Sequence, residues 1–247
     1  MDRTVFRRSW ALGLAAAVTC ATGVAQPVPP QSPSIADPRD ISGYWELSVD
    51  SRKVPKAQLQ PTVTAAVLAQ HRKGDQYAIR WCDLLGVPFV MDAGRPLDIE
   101  VGTREVAIVV AAQAEPRHIY FDRTEHVSAD DWDPNTTGDS LAHWENDTLV
   151  IDTVGFSATK GITAIPGGGF KTETSHLVER LRMLDGGRVL QIVSTWIDPA
   201  VFKVPHTYEY RYYRLPNTYE APPQARCDPW NDERTKFLDF PASSTAK

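Results

Sequence analysis

The sequence predicts an all-β domain, an antiparallel barrel or sandwich with one short helix. Many short segments rich in β-branched and aromatic residues are separated by Gly, Pro, Asn and Asp, which favour turns. One segment, residues 61–73, shows the spacing of a helix. Strands and helices do not alternate along the chain, which argues against a parallel sheet with crossover helices.

The first residues predict a secretory signal peptide rather than a part of the fold. A basic start with Arg7 and Arg8 precedes a short apolar run at residues 10–18, and small residues lead up to Ala25. Cleavage after Ala25 implies a periplasmic or secreted protein. The Arg pair leaves a twin-arginine signal open, and Cys20 leaves a lipoprotein anchor open.

Removal of the signal peptide, residues 1–25, leaves 247 − 25 = 222 residues, which suits one large all-β domain or two small ones. We interpret residues 26–39 as a linker rich in Pro, Ser and Gln, residues 40–240 as a single barrel domain, and residues 241–247 as a disordered tail. The net charge of −5 gives no sign of a basic nucleic-acid face. No later apolar run is long enough to span a membrane.

Two cysteines, Cys82 and Cys227, remain when Cys20 leaves with the signal peptide. Cysteines in an oxidising compartment can pair, and neither of these belongs to a C-x-x-C motif typical of metal sites. We therefore favour a Cys82–Cys227 disulfide over two separate buried thiols.

The domain opens with a strand at residues 41–47 that carries Gly43 and Trp45. This Gly-x-Trp pair resembles the first-strand signature of lipocalin-type barrels, in which the Trp closes the barrel floor and the Gly allows close backbone approach. The resemblance implies a lipocalin-like barrel. In the helix at residues 61–73, Thr62 is the expected cap and His71 is expected to be a solvated residue near the end.

Polar residues 123–137 follow predicted strands at residues 97–101, 106–111 and 117–122. This stretch contains His126 and several carboxylates, which are suitable ligands for a divalent cation. It lacks the spacing of a calcium-binding loop, so we favour a solvated acidic loop.

Residues 139–156 form the clearest hairpin. Two β-rich runs flank Asn146 and Asp147, residue types that tolerate tight turns. His143 and Trp144 lie on the first run, and Asp152 lies inside the apolar second run.

Part of this hairpin resembles a known signature. Its residues 144–156, W-E-N-D-T-L-V-I-D-T-V-G-F, are similar to the repeated W-E-G-D-T-L-V-V-D-T-x-G-F of an uncharacterised family of exported bacterial proteins. Asn146 stands where the family usually has Gly, and Lys171 where it often has His. The resemblance supports the architecture and implies no reaction. It extends over residues 42–227 through similar pieces at 117–122, 176–180 and 198–199.

Residues 157–170 include three consecutive glycines and predict a flexible loop that covers a pocket mouth. A second hairpin follows, with strands at residues 175–184 and 188–197 around a Gly-Gly turn. Alternation places Glu179 on the inward face of the first of these strands, where a carboxylate needs a partner.

The last predicted strand, residues 206–215, carries a stripe of aromatic side chains on one face. His206, Tyr208 and Tyr210 belong to this stripe, which fits either a pocket wall or the exposed face of an edge strand. Together with Trp144 they are the candidate ligand-binding residues.

Three residues are candidate catalytic groups. His143 and Asp152 are expected to meet across the central hairpin, since a His beside a carboxylate suits general base catalysis. Glu179 is the third candidate. The alternatives are an outward-pointing His143 and an Asp152 that only stabilises the barrel.

Two functions follow from these candidates. The first is an exported β-barrel protein that binds a small amphipathic or aromatic molecule. The alternative is an acid/base enzyme without a cofactor, a lyase, isomerase or hydratase that acts on a small carbonyl or aromatic compound in the barrel cavity. A purely structural domain of the cell envelope is the third possibility.

Overall fold

The computed structural model describes residues 37–92, 94–111 and 115–221. The predicted signal peptide, the C-terminal tail and Cys227 lie outside these residues, so the Cys82–Cys227 disulfide stays a prediction. Short 3-10 turns occur at Val49–Arg52, Phe89–Asp92 and Asp185–Gly187. The helix is α1 (Ala65–Arg80), and the strands are β1 (Gly43–Leu47), β2 (Leu97–Val101), β3 (Glu105–Val110), β4 (Arg117–Tyr120), β5 (Asp139–Glu145), β6 (Thr148–Val154), β7 (His176–Leu184), β8 (Val189–Ile197) and β9 (His206–Arg214).

The nine strands form a closed barrel in chain order, and pairing of β1 with β9 completes it. This confirms the predicted all-β barrel with a helix. One pair departs from the antiparallel pattern, because β4 and β5 run parallel, with Ile119 opposite Ser140. Parallel neighbours need a long crossover, and residues 121–138 provide it. Among the described residues, no helix has both the length and the apolar character that a membrane-spanning segment requires.

Alternate residues of every strand point into the barrel and pack together. Trp45 on β1, Ile99 on β2, Ile151 on β6 and Trp196 on β8 are completely buried. The aromatic stripe of β9 also points inward. It therefore belongs to the interior of the barrel and is not the exposed face of an edge strand. The interior is therefore a core of interlocking side chains.

Helix α1 differs from the sequence prediction at both ends. Its N-cap is Thr64, whose hydroxyl accepts a hydrogen bond from the backbone N–H of Val67 at 3.3 Å. The helix continues to Arg80, so His71 lies in its middle. His71 is half-buried, stacks on Phe170 with ring centroids 3.6 Å apart, and is not a solvated end residue.

The glycine-rich loop at residues 157–170 is packed rather than open. The carboxylate of Asp75 on α1 accepts hydrogen bonds from the backbone N–H of Thr163 at 2.7 Å and from its hydroxyl at 3.0 Å. A Cβ atom at Gly167 would lie 2.2 Å from the carbonyl oxygen of Pro55. The loop was expected to be flexible and to cover a pocket mouth. It is instead a segment that is fixed between the helix and the barrel.

Arg214 fixes the seam between the first and last strands. Its guanidinium carbon lies 4.1 Å from the centre of the Trp45 ring. Nε donates to the carbonyl of Gly187 at 2.9 Å, Nη2 donates to the carbonyl of Asp40 at 3.0 Å, and Nη1 donates to the carbonyl of Ser42. One side chain thus joins the buried Trp45, the chain entering β1 and the turn before β8.

We expect Arg214→Met to lower the free energy of unfolding by about 2–4 kcal/mol, because three charged hydrogen bonds and a cation–π contact are lost. Arg211→Met is the matched control, since Arg211 is exposed on the same strand and pairs only with Glu209 at 2.6 Å among the described residues. Urea unfolding of both variants measures the difference. Equal destabilisation would show that the seam does not depend on Arg214.

A buried ion pair joins four adjacent strands inside the barrel. Nη2 of Arg117 on β4 lies 2.5 Å from Oε2 of Glu179 on β7, and both side chains are 1% exposed. The same nitrogen donates to Thr153 on β6 at 3.0 Å and to Ser140 on β5 at 3.4 Å. Nε and Nη1 of Arg117 have no hydrogen-bond partner among the described residues, and Oε2 of Glu179 is paired by charge without a well-aligned hydrogen bond.

We expect Glu179→Leu to lower the free energy of unfolding by about 3–5 kcal/mol, because it leaves the guanidinium of Arg117 buried without a counter-charge. The double variant Arg117→Met/Glu179→Leu should be more stable than Glu179→Leu alone. Urea unfolding of the two single variants and the double variant forms a double-mutant cycle. Additive effects would contradict a coupled pair.

Candidate functional site

The outer surface of the barrel carries a chain of hydrogen-bonded acidic and basic side chains. Asp152 on β6 contacts two histidines, with Oδ1 2.8 Å from Nε2 of His126 and Oδ2 2.6 Å from Nε2 of His176. Nδ1 of His126 lies 3.0 Å from Oδ2 of Asp139. We call Asp139, His126, Asp152 and His176 the His–Asp chain.

Strand alternation explains why three of these residues share one face. Asp139 is opposite Val154 on β6, and Asp152 is opposite Val178 on β7. His176 is two residues before Val178 and therefore points to the same side of the sheet. His126 comes from the crossover, residues 121–138, which returns over this face after β4.

Asp139 anchors the chain in the protein, since its side chain is only 2% exposed. Arg123 donates to Oδ1 at 2.5 Å, and the backbone N–H of Val127 donates to Oδ2 at 3.0 Å. Burial acts to raise the pKa of Asp139, but the hydrogen bonds from Arg123, Val127 and His126 outweigh it and hold the pKa below its ordinary value. Asp139 is therefore an anion at neutral pH.

The hydrogen-bond inventory assigns the ring protons. Asp139 is ionised and an ionised carboxylate only accepts, so Nδ1 of His126 donates to Asp139. Nε2 of His176 likewise donates to Asp152. The remaining nitrogen, Nδ1 of His176, accepts from no described residue, and the side chain is 35% exposed.

A cleft of about 550 Å³ adjoins the buried end of the His–Asp chain. Three residues connect the cleft to the His–Asp chain. Asp139 is a member of both, and Arg123 and Val127 line the cleft and are hydrogen-bonded to Asp139. The guanidinium carbon of Arg123 lies 4.5 Å from the centre of the Tyr120 ring, and Nε1 of Trp132 donates to the carbonyl of Gly155 at 2.9 Å. The cleft is lined by Glu115, Pro116, His118, Tyr120, Arg123, Val127, Trp132, Asn135, Thr137, Gly138 and Asp139.

The predicted catalytic residues do not meet. Asp152 belongs to the His–Asp chain, but His143 is opposite Val150, is 64% exposed and contacts Glu145 at 3.2 Å. The expected His143–Asp152 pair is corrected accordingly, because the pairing register offsets the two residues along the hairpin. Glu179 is inward, as expected, but its partner there is Arg117.

The predicted ligand-binding residues lie on the inward faces of their strands. Trp144 packs against the core, and the guanidinium of Arg39 lies 5.7 Å from its ring centre. His206 contacts the carbonyl of Pro166 at 2.7 Å. Tyr208 accepts from Nε1 of Trp196 at 3.2 Å, and Tyr210 donates to Asp92 at 3.1 Å. The named polar atoms of His206, Tyr208 and Tyr210 are thus bonded to the protein itself.

Sequence reasoning missed His126, His176, Asp139 and Arg123. Two signals pointed to them. Strand alternation places Asp152 and His176 on outward faces, and His126 stood out in a loop interpreted as solvated. Among the described residues, no group of three or more His, Cys, Asp and Glu side chains is placed to bind a metal ion.

Lys171, which replaces a His common in the resembling family, is completely buried away from solvent. Its Nζ donates to the carbonyls of Val87 at 2.8 Å and Thr136 at 3.0 Å. Burial lowers the pKa of Lys171 to about 7. The amine of Lys171 therefore connects the segment before the 3-10 turn at Phe89–Asp92 to the end of the crossover.

We expect Asp139→Asn to lower the free energy of unfolding by about 1–3 kcal/mol at pH 7 by weakening charged hydrogen bonds. The folded-state pKa is depressed, so the anion contributes stability above about pH 4, and this contribution is lost as the pH falls through the folded-state pKa. The melting temperatures of wild type and variant should therefore converge in acid. Asp133→Asn, at a side chain that is 90% exposed, is the control and should match wild type at every pH. A constant gap between wild type and Asp139→Asn would contradict the assignment.

The chain matches no known protein-family model, and no curated protein matches it. The resemblance of residues 144–156 to the exported bacterial family thus stays a prediction from the signature.

Proposed function

We propose that this protein is exported and binds a small aromatic or amphipathic molecule in the outer cleft beside Asp139. The observation that carries the proposal is a cleft of about 550 Å³, a volume typical of small-molecule sites, with aromatic walls and a fixed guanidinium. An outer site suits this barrel, because its inward side chains pack against one another in a core.

The cleft walls suit a flat ligand. Tyr120 and Trp132 are half-buried, so each offers part of its ring surface while its position is held by the protein. Pro116 and Val127 add apolar surface at the same cleft. Aromatic side chains contribute large contact areas and lose little conformational entropy on binding.

Arg123 supplies the polar anchor. Its guanidinium stacks on Tyr120 and is held by Asp139 at 2.5 Å, so it is ordered before a ligand arrives. Its Nε donates to no described residue and offers a hydrogen bond to an incoming acceptor. Preorganisation of this kind reduces the entropy lost on binding. The preferred ligand therefore combines an aromatic ring with an acceptor or anionic group.

Anilinonaphthalene sulfonate, an aromatic anion, is a suitable probe. We expect saturable binding by the full chain and an affinity about tenfold weaker in Arg123→Gln and in Trp132→Leu, which corresponds to about 1.4 kcal/mol for each variant. Fluorescence titration measures the affinities, and circular dichroism confirms the fold of each variant.

The matched controls are Arg180→Gln and Trp81→Leu, which change an exposed Arg on β7 and a tryptophan that is 48% exposed at the end of α1. Both should retain the wild-type affinity. If all four variants bind the probe equally, the cleft is not the binding site.

A further inference from the structure

His176 presents one ring nitrogen to solvent in a fixed orientation. It is the first residue of β7, and its Nε2 lies 2.6 Å from Oδ2 of Asp152. Since the carboxylate accepts the Nε2 proton, the lone pair of the neutral ring lies on Nδ1. That atom accepts from no described residue, and 35% of the side chain is exposed. Carboxylates fix histidine tautomers in this way in hydrolytic enzymes.

Asp152 is held on its other oxygen. Oδ1 lies 2.8 Å from Nε2 of His126, and His126 is held in turn by Asp139 at 3.0 Å. Arg123 and the backbone of Val127 fix Asp139. Each link limits rotation of the next side chain, so the orientation of His176 is defined from the buried end of the chain.

The charged and titratable groups that contact His176 or stand behind its partner belong to the His–Asp chain among the described residues. Asp152 contacts it directly from β6, and His126 stands behind Asp152 from the crossover. On the other side, its cross-strand neighbour on β8 is Ile197, which is apolar. The carboxylate of Asp152 is therefore the charged group in direct contact with His176 among the described residues.

Two hydroxyl groups just before His176 in the chain already donate hydrogen bonds to another residue. Thr172 donates to Oδ2 of Asp198 at 2.6 Å, and Ser175 donates to the same oxygen at 2.8 Å. Neither is hydrogen-bonded to His176, as a nucleophile activated by this histidine would be. The proton donor left for Nδ1 of this partly exposed side chain is water.

We propose that His176 is a general base that activates water for the hydrolysis of small carboxylic esters, with Asp152 and His126 as positioning residues. An O–H bond of water breaks, and its proton passes to Nδ1 while the oxygen forms a bond to the acyl carbon and the carbonyl π pair moves to the carbonyl oxygen. The C=O bond then reforms as the ester C–O bond breaks, and the leaving oxygen keeps the electron pair of that bond and takes the proton from Nδ1. The products are a carboxylic acid and an alcohol, and His176 returns to its neutral form.

Esters suit this base better than amides, because an alkoxide leaves with less assistance than an amine anion. His176 and Asp152 do not line the cleft beside Asp139. Substitutions of His176 and Asp152 therefore test ester hydrolysis without changing a residue of the cleft, so its failure is distinguishable from failure of ligand binding.

The test is hydrolysis of p-nitrophenyl acetate by the full chain and its variants. We expect His176→Ala to lower kcat/KM by about 100-fold, the lower range for loss of a general base. Asp152→Asn should lower kcat/KM by about tenfold, because the carboxylate that fixes the tautomer of His176 is lost. Asp152→Glu keeps a carboxylate and should recover part of this loss in kcat, whereas a merely structural role of Asp152 would show no recovery of kcat.

His143→Ala is the matched control, because His143 is another strand histidine that faces solvent and is hydrogen-bonded to a carboxylate, Glu145. It should retain wild-type activity. Similar small losses in His143→Ala and His176→Ala would show background reactivity of surface imidazoles and overturn the proposal.

Modification of the wild-type protein with diethyl pyrocarbonate tests the same proposal without any substitution. Peptide mapping should show that activity falls in proportion to the modification of His176 and not to that of His143. Activity that survives full modification of His176 would overturn the proposal, even if His176→Ala fails to fold.

Discussion

The buried ion pair between Arg117 and Glu179 is the constraint on which the outer site depends. With Ser140 and Thr153 it places one polar side chain on each of the strands β4 to β7. These strands also carry the outer residues, because neighbours in a strand point to opposite faces. Ser140 follows Asp139, and Thr153 follows Asp152. A slip of one residue in β5 or β6 would bury a site carboxylate and expose a hydroxyl group of the polar core.

The polar core also explains how a parallel strand pair is accommodated in this barrel. Ladder contacts between β4 and β5 are few, with Ile119 and Tyr120 opposite Ser140 and Leu141. The hydrogen bond from Arg117 to Ser140 crosses that same junction. The crossover above it supplies both Arg123 and His126. Inner and outer polar contacts therefore reinforce the weakest junction of the barrel wall from both sides.

Local signals in the sequence predicted the hairpins and the faces of their strands. Asn146 adopts the left-handed backbone expected of its turn, with φ of 57°, and Glu179 is inward as its alternation required. The strands of the barrel could be predicted from such local patterns. The contact between His126 and Asp152 could not, because His126 belongs to an irregular segment with no periodicity. It reaches the site because this segment connects the parallel strands β4 and β5. His143 was mispaired because the exact register of a hairpin is set by its turn geometry, which composition does not specify.

The seam at Arg214 has a consequence for how the chain reaches this structure. Trp45 and Arg214 stand near opposite ends of the described residues, and their contact closes the barrel. Contacts between distant residues require a large loss of chain entropy before they contribute stability, which slows folding. During synthesis β1 emerges long before β9 exists, so its outer edge stays unpaired until the last strand is complete. A partner that binds newly made chains would cover that edge. The edge becomes paired with β9 only when the chain has been made as far as Arg214, and the partner can then dissociate.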